Sequence, residues 1–523
     1  MLKYMLQKGG GEMIWKWLKV LFSRVVIISA LILVQVVLLV VVVWKLSDYF
    51  VYWYIACVVL SLVVVIWLMS KNDNPSYKLA WTILILVLPI FGGLFYLLFG
   101  TKRLPYGFRK NMDRVSKEIE GLLAQNKDVY DEISRDKDMK KQVNYLEHYA
   151  GYPVYKNTTT EYLTPGEMKF ERMVEELKKA KHYIFLEYFI IEEGTMWDTV
   201  LEILQSKRRE GVEVRVMYDD IGCINTLPNH YDEKLRALGI ECCVFNPFHA
   251  RMNALFNNRD HRKILVIDGT VAFTGGINLA DEYINAYPKH GHWKDASILV
   301  KGEAVWSFTM MFLTAWNFTN QTTCEYEKYR PHKYCEEEFE SDGYVIPYAD
   351  SPFDGEHVGE YVYMNIINNA TDYVYINTPY LIVDHEFLTA LSLAAKSGVD
   401  VRIVTPHVPD KWYVHLLTQS FYPPLVRAGV KIYEYTPGFI HSKTFVSDDT
   451  TATVGTVNLD FRSLYLHFEC GTLLYHTNTV ASVKEDFLKT LEQCQEITLE
   501  DCKNVKWYKR FLRGLLRVFA PLM

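Results

Sequence analysis

The sequence has few features of a disulfide-stabilised or zinc-bound protein. Its nine cysteines are scattered along the chain, and none belongs to a Cys-x-x-Cys pair. A disulfide framework or a structural zinc site needs closely spaced or paired cysteines, so we predict free thiols in a reducing compartment. The chain also lacks an excess of positive charge. Its formal net charge of -6 argues against a surface that attracts nucleic acid as a whole.

Long apolar runs are absent after residue 100, but three of them lie before it. The first two cover about residues 25–44 and 49–69. Each has the length of roughly 20 residues that a helix needs to cross a hydrocarbon core of about 30 Å. Neither has the short core and small-residue ending of a cleaved signal peptide. We therefore predict a membrane region over residues 1–100 with two transmembrane helices.

The third apolar run, over residues 79–99, contains residues that interrupt helices. Pro89, Gly92 and Gly93 lie near its middle, and basic residues follow it. These features favour a re-entrant or interfacial hairpin, in which the turn must be covered by protein or lipid headgroups. A full crossing is the alternative.

Positive charges predict the orientation of these segments. Lys16, Lys19 and Arg24 precede the first run, whereas Lys71 and Lys78 follow the second. Because basic residues concentrate on the cytoplasmic side, both outer flanks are expected in the cytoplasm. The sequence thus predicts a multi-pass protein of the cell membrane whose large part after residue 100 faces the cytoplasm.

After a predicted linker at 101–150, strand and helix patterns alternate, which indicates α/β units with a mixed or parallel sheet. The pattern occurs twice, since residues 211–217 (GVEVRVM) resemble residues 398–404 (GVDVRIV). We predict two similar lobes, 151–321 and 343–523, joined by an acidic linker at 322–342.

The chain's last residues predict a further membrane contact. Basic and aromatic residues alternate over 505–519, which is typical of an amphipathic helix lying on an anionic leaflet. An ordinary surface helix packed on the second lobe is the alternative.

Each predicted lobe contains one unusual motif. Residues 261–268 and 441–448 both have the pattern His-x-Lys-x-x-x-x-Asp. They supply His261, Lys263 and Asp268 in the first lobe and His441, Lys443 and Asp448 in the second. Asn278 and Asn458 follow in Gly-x-x-Asn sequences, and every residue of the second set lies 180 positions after its counterpart. A matched pair of this kind inside a wider repeat is hard to obtain by chance.

The β-forming residues after each histidine predict that the motif lies on a strand. Alternate residues of a strand share a face, so histidine and lysine project together. The aspartate has the opposite parity and lies at the strand end, where Asp268-Gly269 is also a turn signal. We include Asp268 and Asp448 among the catalytic-motif residues but expect them to fix a turn.

Paired histidines and lysines suit phosphate chemistry. A neutral imidazole can attack phosphorus, and a second, protonated imidazole can supply a proton to the leaving oxygen. Lys263, Lys443, Asn278 and Asn458 can hold the phosphoryl oxygens, so no metal or other cofactor is required. Zinc is disfavoured because an ammonium is not a ligand. Asp295 and Glu469, downstream of the two motifs, are candidates for orienting the histidines.

These paired motifs resemble the two HKD motifs of the phospholipase D superfamily. The N-terminal segments 74–81 (NPSYKLAW), 88–93 (LPIFGG) and 96–100 (YLLFG) are similar to the membrane-entry region of bacterial cardiolipin synthases. The resemblance covers nearly the whole chain. It implies two α/β lobes related by a pseudo-twofold axis, with the active site at their interface.

The resemblance also implies a reaction. Two phosphatidylglycerol molecules, one as donor and one as acceptor, would give cardiolipin and glycerol through a phosphatidyl-histidine. It favours His261 as nucleophile, although the internal symmetry leaves His441 open. Rival interpretations are a membrane-bound phospholipase D that hydrolyses phospholipid to phosphatidic acid and a non-catalytic scaffold. A nuclease is opposed by the apolar runs and the acidic charge.

Overall fold

The computed structural model describes residues 50–89, 91–100, 106–247, 257–333 and 339–522, with isolated positions between 33 and 45. The chain divides into two compact units. One consists of residues 1–103 with 247–256, and the other consists of residues 104–246 with 257–523.

The first unit contains α1 (Phe50–Met69), α2 (Pro75–Val87), α3 (Gly92–Phe95) and a π-helical turn, Tyr96–Gly100. Within the described residues, one helix is long and apolar enough to cross a membrane, at Val51–Met69. The predicted helix at 25–44 falls outside the described residues except for isolated positions. The prediction of two transmembrane helices is therefore not confirmed.

The third apolar run forms two short helices rather than one long helix. Asn74 caps α2 by accepting a hydrogen bond from Ser76 N (2.9 Å), and α2 ends before Pro89. With 13 residues, α2 is about 20 Å long, which is shorter than a hydrocarbon core. Ser61 Oγ donates to Pro89 O (2.9 Å), so the break lies against α1.

The second unit contains two sheets with the same strand order. The first sheet runs β1-β8-β6-β5-β2-β3-β4, and the second runs β9-β16-β15-β14-β10-β11-β12-β17 when read from its equivalent edge. Both are mixed sheets, in which three neighbouring strands (β2, β3 and β4, or β10, β11 and β12) pair in parallel and the next strand pairs antiparallel with them. The strands are β1 Thr158–Leu163, β2 Tyr183–Tyr188, β3 Glu213–Asp219, β4 Glu241–Phe245, β5 Lys263–Ile267, β6 Val271–Gly275, β7 His292–Lys294, β8 Ser297–Gly302, β9 Tyr344–Asp350, β10 Tyr373–Asn377, β11 Asp400–Pro406, β12 Lys431–Tyr435, β13 Gly438–Ile440, β14 Thr444–Ser447, β15 Thr451–Gly455, β16 Glu469–Tyr475 and β17 Cys494–Ile497.

Helices cover these sheets and complete two α/β lobes. They are α4 Tyr106–Ile119, α5 Lys127–Ile133, α6 Lys137–His148, α7 Gly166–Lys179, α8 Thr195–Arg209, α9 Asp220–Cys223, α10 Tyr231–Ala237, α11 Val305–Asn320, α12 Val358–Asn369, α13 His385–Lys396, α14 Trp412–Thr418, α15 Tyr422–Ala428, α16 Phe461–Tyr465, α17 Asn478–Leu491, α18 Leu499–Lys503 and α19 Trp507–Phe519.

Apolar residues from both lobes meet in one shared core. Phe185 and Ile264 of the first sheet belong to the same buried cluster as Val446 and Cys470 of the second. The central strands are buried along their whole length, as β2 illustrates, because helices or the other lobe cover both faces. This shared core holds the two lobes together around the site described below.

The segments predicted as linkers are largely packed structure. Residues 106–148 form α4, α5 and α6, and Met139, Val143 and Leu146 are buried in the core of the second lobe. After α11, Tyr326 and Tyr329 lie in a short 3-10 turn and are buried in the shared core. The acidic residues predicted within the second linker, 336–338, lie outside the described residues.

Candidate active site

The backbone of each motif histidine is bonded to the opposite lobe. His261, just before β5, donates its backbone N–H to Phe468 O of the second lobe (2.9 Å). His441, between β13 and β14, donates its backbone N–H to Lys294 O of the first lobe (2.7 Å). In addition, β13 and β7 form a parallel two-stranded sheet across the lobes. The two motifs are therefore brought together at the interface of the lobes.

The same crossing applies to the side chains. His261 Nδ1 is 2.9 Å from Glu469 Oε1, and His441 Nδ1 is 2.6 Å from Asp295 Oδ2. A carboxylate only accepts hydrogen bonds, so each Nδ1 carries the proton and the lone pair lies on Nε2. Each histidine thus receives its carboxylate from the other lobe. The order of these residues along the chain does not reveal this exchange.

Burial and the two lysines favour the neutral form of both imidazoles. Burial, with the charges of Lys263 and Lys443, lowers the pKa of His261 well below its ordinary value. Burial and Lys443 lower the pKa of His441 to about 4. These mutual effects also indicate that both motifs belong to one electrostatic site.

The remaining ionisable groups of the site are also shifted. Burial raises the pKa of Glu469 to about 7 against the opposing charge of Lys263. Burial alone would raise the pKa of Asp295 too, but His441 and Lys443 bring it below its ordinary value. Burial lowers the pKa of Lys263 to about 8 and that of Lys443 to about 7. Shifts of this kind cluster at functional sites.

The two lysines lie beside the histidines as the strand pattern predicts. Lys263 Nζ donates to His261 O (2.5 Å), and Lys443 Nζ donates to His441 O. Both side chains are almost fully buried. Among the described residues, each ammonium has only this carbonyl as a hydrogen-bond partner, so its other two hydrogens can bind an anion.

The motif aspartates lie away from the histidines and bind backbone. Asp268 accepts hydrogen bonds from Lys181 N, His182 N and Tyr183 N, each at 2.8 Å. Asp448 accepts from the backbone N–H groups of residues 371–373 at 2.7–3.0 Å. Both aspartates have positive φ, in the turn after the strand. Their contacts fix the entry into β2 and β10 and do not reach the reacting atoms.

The two asparagines differ from each other. Asn278 accepts from Ile190 N (3.0 Å) and donates to Tyr283 Oη (2.7 Å), so its amide also organises the surrounding loops. Asn458 Oδ1 is buried and has no hydrogen-bond partner among the described residues. Asn458 therefore has more capacity left for a ligand than Asn278.

The surroundings of the two histidines break the symmetry. His441 lies among aromatic rings, with centroid distances of 5.3 Å to Trp293, 5.6 Å to Tyr283 and 5.8 Å to Phe439. His261 has Phe189 at 5.0 Å and a third histidine, His467, at 5.7 Å. His467 occupies the place that Trp293 has in the first lobe, two residues before the carboxylate.

Several residues of the site were not predicted. Thr456 Oγ1 donates to Glu469 Oε2 and thereby fixes the carboxylate of His261. Arg259 is paired with Asp219 (2.9 Å), and Arg262 with Asp260 (3.0 Å), on either side of His261. The sequence Arg259-Asp-His-Arg-Lys263 could have indicated these ion pairs, because several charged residues next to a buried strand require partners of opposite charge. The donor atoms of His261, His467 and Glu469 lie within 4.8 Å of one another, so they could also hold a metal ion.

The comparisons with known proteins agree with this architecture. The family model of the cardiolipin synthase, PLD-like domain matches residues 173–288 and 363–491, and that of the phospholipase D-nuclease N-terminal region matches residues 58–100. The solved phosphatidylserine synthase of Haemophilus influenzae is similar in fold, with a TM-score of 0.55. It is 15% identical and covers 74% of this chain and 98% of its own.

Curated relatives match over nearly the same length. A cardiolipin synthase of Halalkalibacterium halodurans is 35% identical over 459 residues, which are 87% of this chain and 90% of that protein. An uncharacterised protein of Streptococcus mutans is 44% identical over 463 residues, 88% of this chain and 99% of that protein. A cardiolipin synthase 2 of Bacillus anthracis is 34% identical and covers 87% of this chain and 88% of its own length.

Proposed function

The chain belongs to the cardiolipin synthase family, and from this premise we propose that it is a phosphatidyltransferase that joins two phosphatidylglycerol molecules into cardiolipin and releases glycerol. The observation that carries the proposal is the crossed pair of histidines. Each is bonded through Nδ1 to a buried carboxylate, which leaves Nε2 to react. Hydrolysis to phosphatidic acid is the competing outcome.

In the first step, His261 Nε2 attacks the phosphorus of the donor. The bond from phosphorus to the headgroup oxygen breaks, and His441 gives that oxygen its proton, so glycerol leaves. In the second step, His441 takes the proton from a hydroxyl of the acceptor phosphatidylglycerol. That oxygen attacks the phosphatidyl-His261 and restores the free imidazole.

The donor itself assists the proton transfer from His441. With a pKa of about 4, His441 is neutral near pH 7 before the donor binds. A bound phosphodiester places a negative charge beside the ring, which stabilises the imidazolium and raises its pKa. The general acid is thus charged only when substrate is present. Lys263 and Lys443 hold the phosphoryl oxygens as charge develops in the transition state.

The test is mass spectrometry of lipids formed by the purified chain in phosphatidylglycerol vesicles. Wild type is expected to produce cardiolipin and glycerol, and His261→Ala neither. A control variant, His385→Ala, changes an exposed histidine outside the crossed pairs and is expected to keep activity. Phosphatidic acid as the main wild-type product would identify a hydrolase, and no turnover in any lipid mixture would favour a scaffold.

A membrane location suits lipid substrates, and the first unit has one helix, Val51–Met69, that is long and apolar enough to span a bilayer. We propose that α2 and α3 enter the leaflet as a hairpin without crossing it. The short length of α2 and the bond from Ser61 to Pro89 support this arrangement. Such a hairpin, with the predicted helix at 25–44, leaves the catalytic unit in the cytoplasm.

We also propose that α19 rests on an anionic lipid surface. Trp507 is 80% exposed and Phe511 is 70% exposed, and Leu515 continues the same stripe. Lys506, Lys509 and Arg510 are exposed around this stripe. Aromatic side chains bordered by basic residues are the features that bind a helix to an anionic interface.

Two further basic residues of α19 bind protein. Arg513 donates to Gln419 Oε1, and Arg517 donates to Ser420 O (3.2 Å), which fixes the helix to the second lobe. We therefore assign the proposed lipid contact to Lys506, Lys509 and Arg510 and not to every basic residue of 505–519.

The lipid contact of α19 is tested by hydrogen–deuterium exchange of the full chain in nanodiscs. Residues 504–519 are expected to exchange more slowly in phosphatidylglycerol discs than in phosphatidylcholine discs. The triple variant Lys506→Gln, Lys509→Gln, Arg510→Gln should lose this difference. Lys178→Gln, Lys179→Gln, Lys181→Gln removes the same charge from another surface and should keep it. Equal exchange of wild type in both discs would refute the lipid contact.

A further inference from the structure

His467 is a buried imidazole that makes no side-chain hydrogen bond. Within the part of the chain that the structure describes, neither Nδ1 nor Nε2 of His467 has a partner, although both atoms are shielded from solvent. Leaving such polar atoms buried and unpaired costs stability, so a ligand that occupies them would stabilise the site. The reaction described above uses neither nitrogen.

The neighbours of His467 are ligands of the kind that transition metals bind. His467 Nδ1 is 3.9 Å from Glu469 Oε1, and His261 Nδ1 is 2.9 Å from the same oxygen. Tetrahedral zinc with bonds of about 2.1 Å holds its donor atoms about 3.4 Å apart. The two observed separations bracket this value, and all three donor atoms lie within 4.8 Å of one another, so a rotation of His467 would bring them toward three corners of a tetrahedron.

The second oxygen of the carboxylate is already used. Thr456 donates to Glu469 Oε2, which also lies 3.0 Å from His261 Nδ1, whereas Oε1 faces both imidazoles. The equivalent position in the other lobe is different, because Trp293 stands where His467 would be. The first lobe therefore cannot build the same donor set around His441 and Asp295.

We propose that His261, His467 and Glu469 form an inhibitory site for a divalent transition metal ion such as Zn²⁺. Two imidazoles and one carboxylate suit Zn²⁺ or Co²⁺ and do not suit Mg²⁺ or Ca²⁺, which prefer oxygen ligands. The buried ammonium groups of Lys263 and Lys443 oppose the ion and weaken its binding.

The inhibition rests on the proposed function, whereas the binding does not. A metal ion on His261 Nδ1 takes the lone pair of that atom, and the ring proton then resides on Nε2. Nε2 has no lone pair left for phosphorus, and the Glu469 hydrogen bond is replaced by a metal bond. The ion therefore blocks the nucleophile and supplies no chemistry of its own.

Cobalt is the probe for binding, because tetrahedral Co²⁺ absorbs strongly in the visible range. The full chain in detergent is expected to develop these bands with Co²⁺ and to lose them when Zn²⁺ is added. His467→Asn should require at least about tenfold more Co²⁺ for the same absorbance. Thiolate binding at the cysteines is recognised by near-ultraviolet charge-transfer bands, which His467→Asn should leave unchanged.

Activity in parallel samples separates the two parts of the proposal. Wild-type cardiolipin formation should fall with added Zn²⁺ and not with added Mg²⁺, and His467→Asn should resist about tenfold more Zn²⁺. Identical cobalt spectra for wild type and His467→Asn would overturn the proposed metal site. Near-ultraviolet circular dichroism of His467→Asn and of a second variant, His467→Gln, checks that both are folded. If cobalt binds through His467 but cardiolipin formation is not inhibited, the metal site is supported and the proposed role of His261 as the nucleophile is contradicted.

Discussion

At the scale of single residues, the motif aspartates and the motif histidines have different tasks. Asp268 accepts three backbone hydrogen bonds and touches neither histidine. Asp268→Ala is expected to lower the free energy of unfolding by about 2 kcal/mol, as the loss of a helix cap or of a charged hydrogen bond does. The folded fraction should keep most of its kcat. Thermal unfolding and lipid assays at low temperature would check this, and a loss of kcat beyond about tenfold with unchanged stability would contradict it.

The shifted pKa values predict a narrow pH profile for kcat, which reports the substrate complex, where the bound donor keeps His441 protonated. Below pH 7, Glu469 with its pKa of about 7 is protonated and no longer accepts from His261, so activity rises with pH through this range. Above pH 7 and 8, Lys443 and Lys263 lose their charges, so activity falls. A maximum near pH 7 is therefore expected.

Two variants separate the limbs of this profile. Glu469→Gln is expected to abolish the acidic limb at a lower overall rate. Lys443→Arg keeps its charge at all accessible pH values and should move the alkaline limb toward the pKa of Lys263, about 8. An acidic limb that persists unchanged in Glu469→Gln would assign that limb to another group.

Gly276 allows Asp295 to reach its position. A Cβ at residue 276 would lie 2.1 Å from Asp295 Oδ1, which is too close for any real contact. Gly276→Ala is expected to displace the carboxylate and to lower kcat by about 10²-fold, because misplacement by 1 Å has effects of this size. Thr456→Ser, at the equivalent position of the second lobe, keeps its hydroxyl and serves as the mild control. Equal kcat values for both variants would argue against this role of Gly276.

At the scale of elements, the sequence pattern predicted the strands and the placement of each histidine beside its lysine. Such predictions succeed because the alternation of faces along a strand depends only on a few neighbouring residues. The exchange of carboxylates between the lobes was not predicted. Asp295 and Glu469 follow their own motifs in sequence, yet each is bonded to the other histidine through pairing between distant segments. Residues 106–148 look like a linker because their polar faces dominate the composition, whereas three buried apolar residues of α6 fix them to the lobe.

The small sheet of β7 and β13 is the element that aligns His441 with the other lobe. Gly438 pairs with His292, and a Cβ on Gly438 would lie within 2.4 Å of His292 backbone atoms. Gly438→Ala is therefore expected to separate the two strands and to reduce kcat/KM by about 10²-fold. Each lobe should stay folded, because its own sheet is untouched.

The control for Gly438→Ala lies on the same strand. Ile440→Val removes one methyl group without approaching the backbone of β7, so it should cost about 1 kcal/mol of stability and little activity. Lipid assays and thermal unfolding of Gly438→Ala and Ile440→Val would show whether activity and stability change as expected. Full activity of Gly438→Ala would show that the alignment of His441 does not depend on this sheet.

At the scale of the whole molecule, the active site exists only where the lobes meet. Neither motif histidine is bonded to a carboxylate of its own lobe within the described residues, because the bonds of both His261 and His441 cross the interface. The shared apolar core makes this interface permanent, so the two chemical steps occur within one rigid frame. A duplicated lobe thus supplies a nucleophile and an acid of the same type, and their different surroundings give each its role.

The orientation of the molecule is the remaining large-scale expectation. If the predicted helix at 25–44 and α1 cross the membrane and α2 with α3 form a hairpin, the C-terminus lies in the cytoplasm. Green fluorescent protein fused after Met523 should then fluoresce, and alkaline phosphatase fused there should be inactive. Phosphatase fused after Lys71 should also be inactive. Activity after Met523 but not after Lys71 would mean that residues 79–99 cross the bilayer, because only a third crossing moves the catalytic unit to the opposite side.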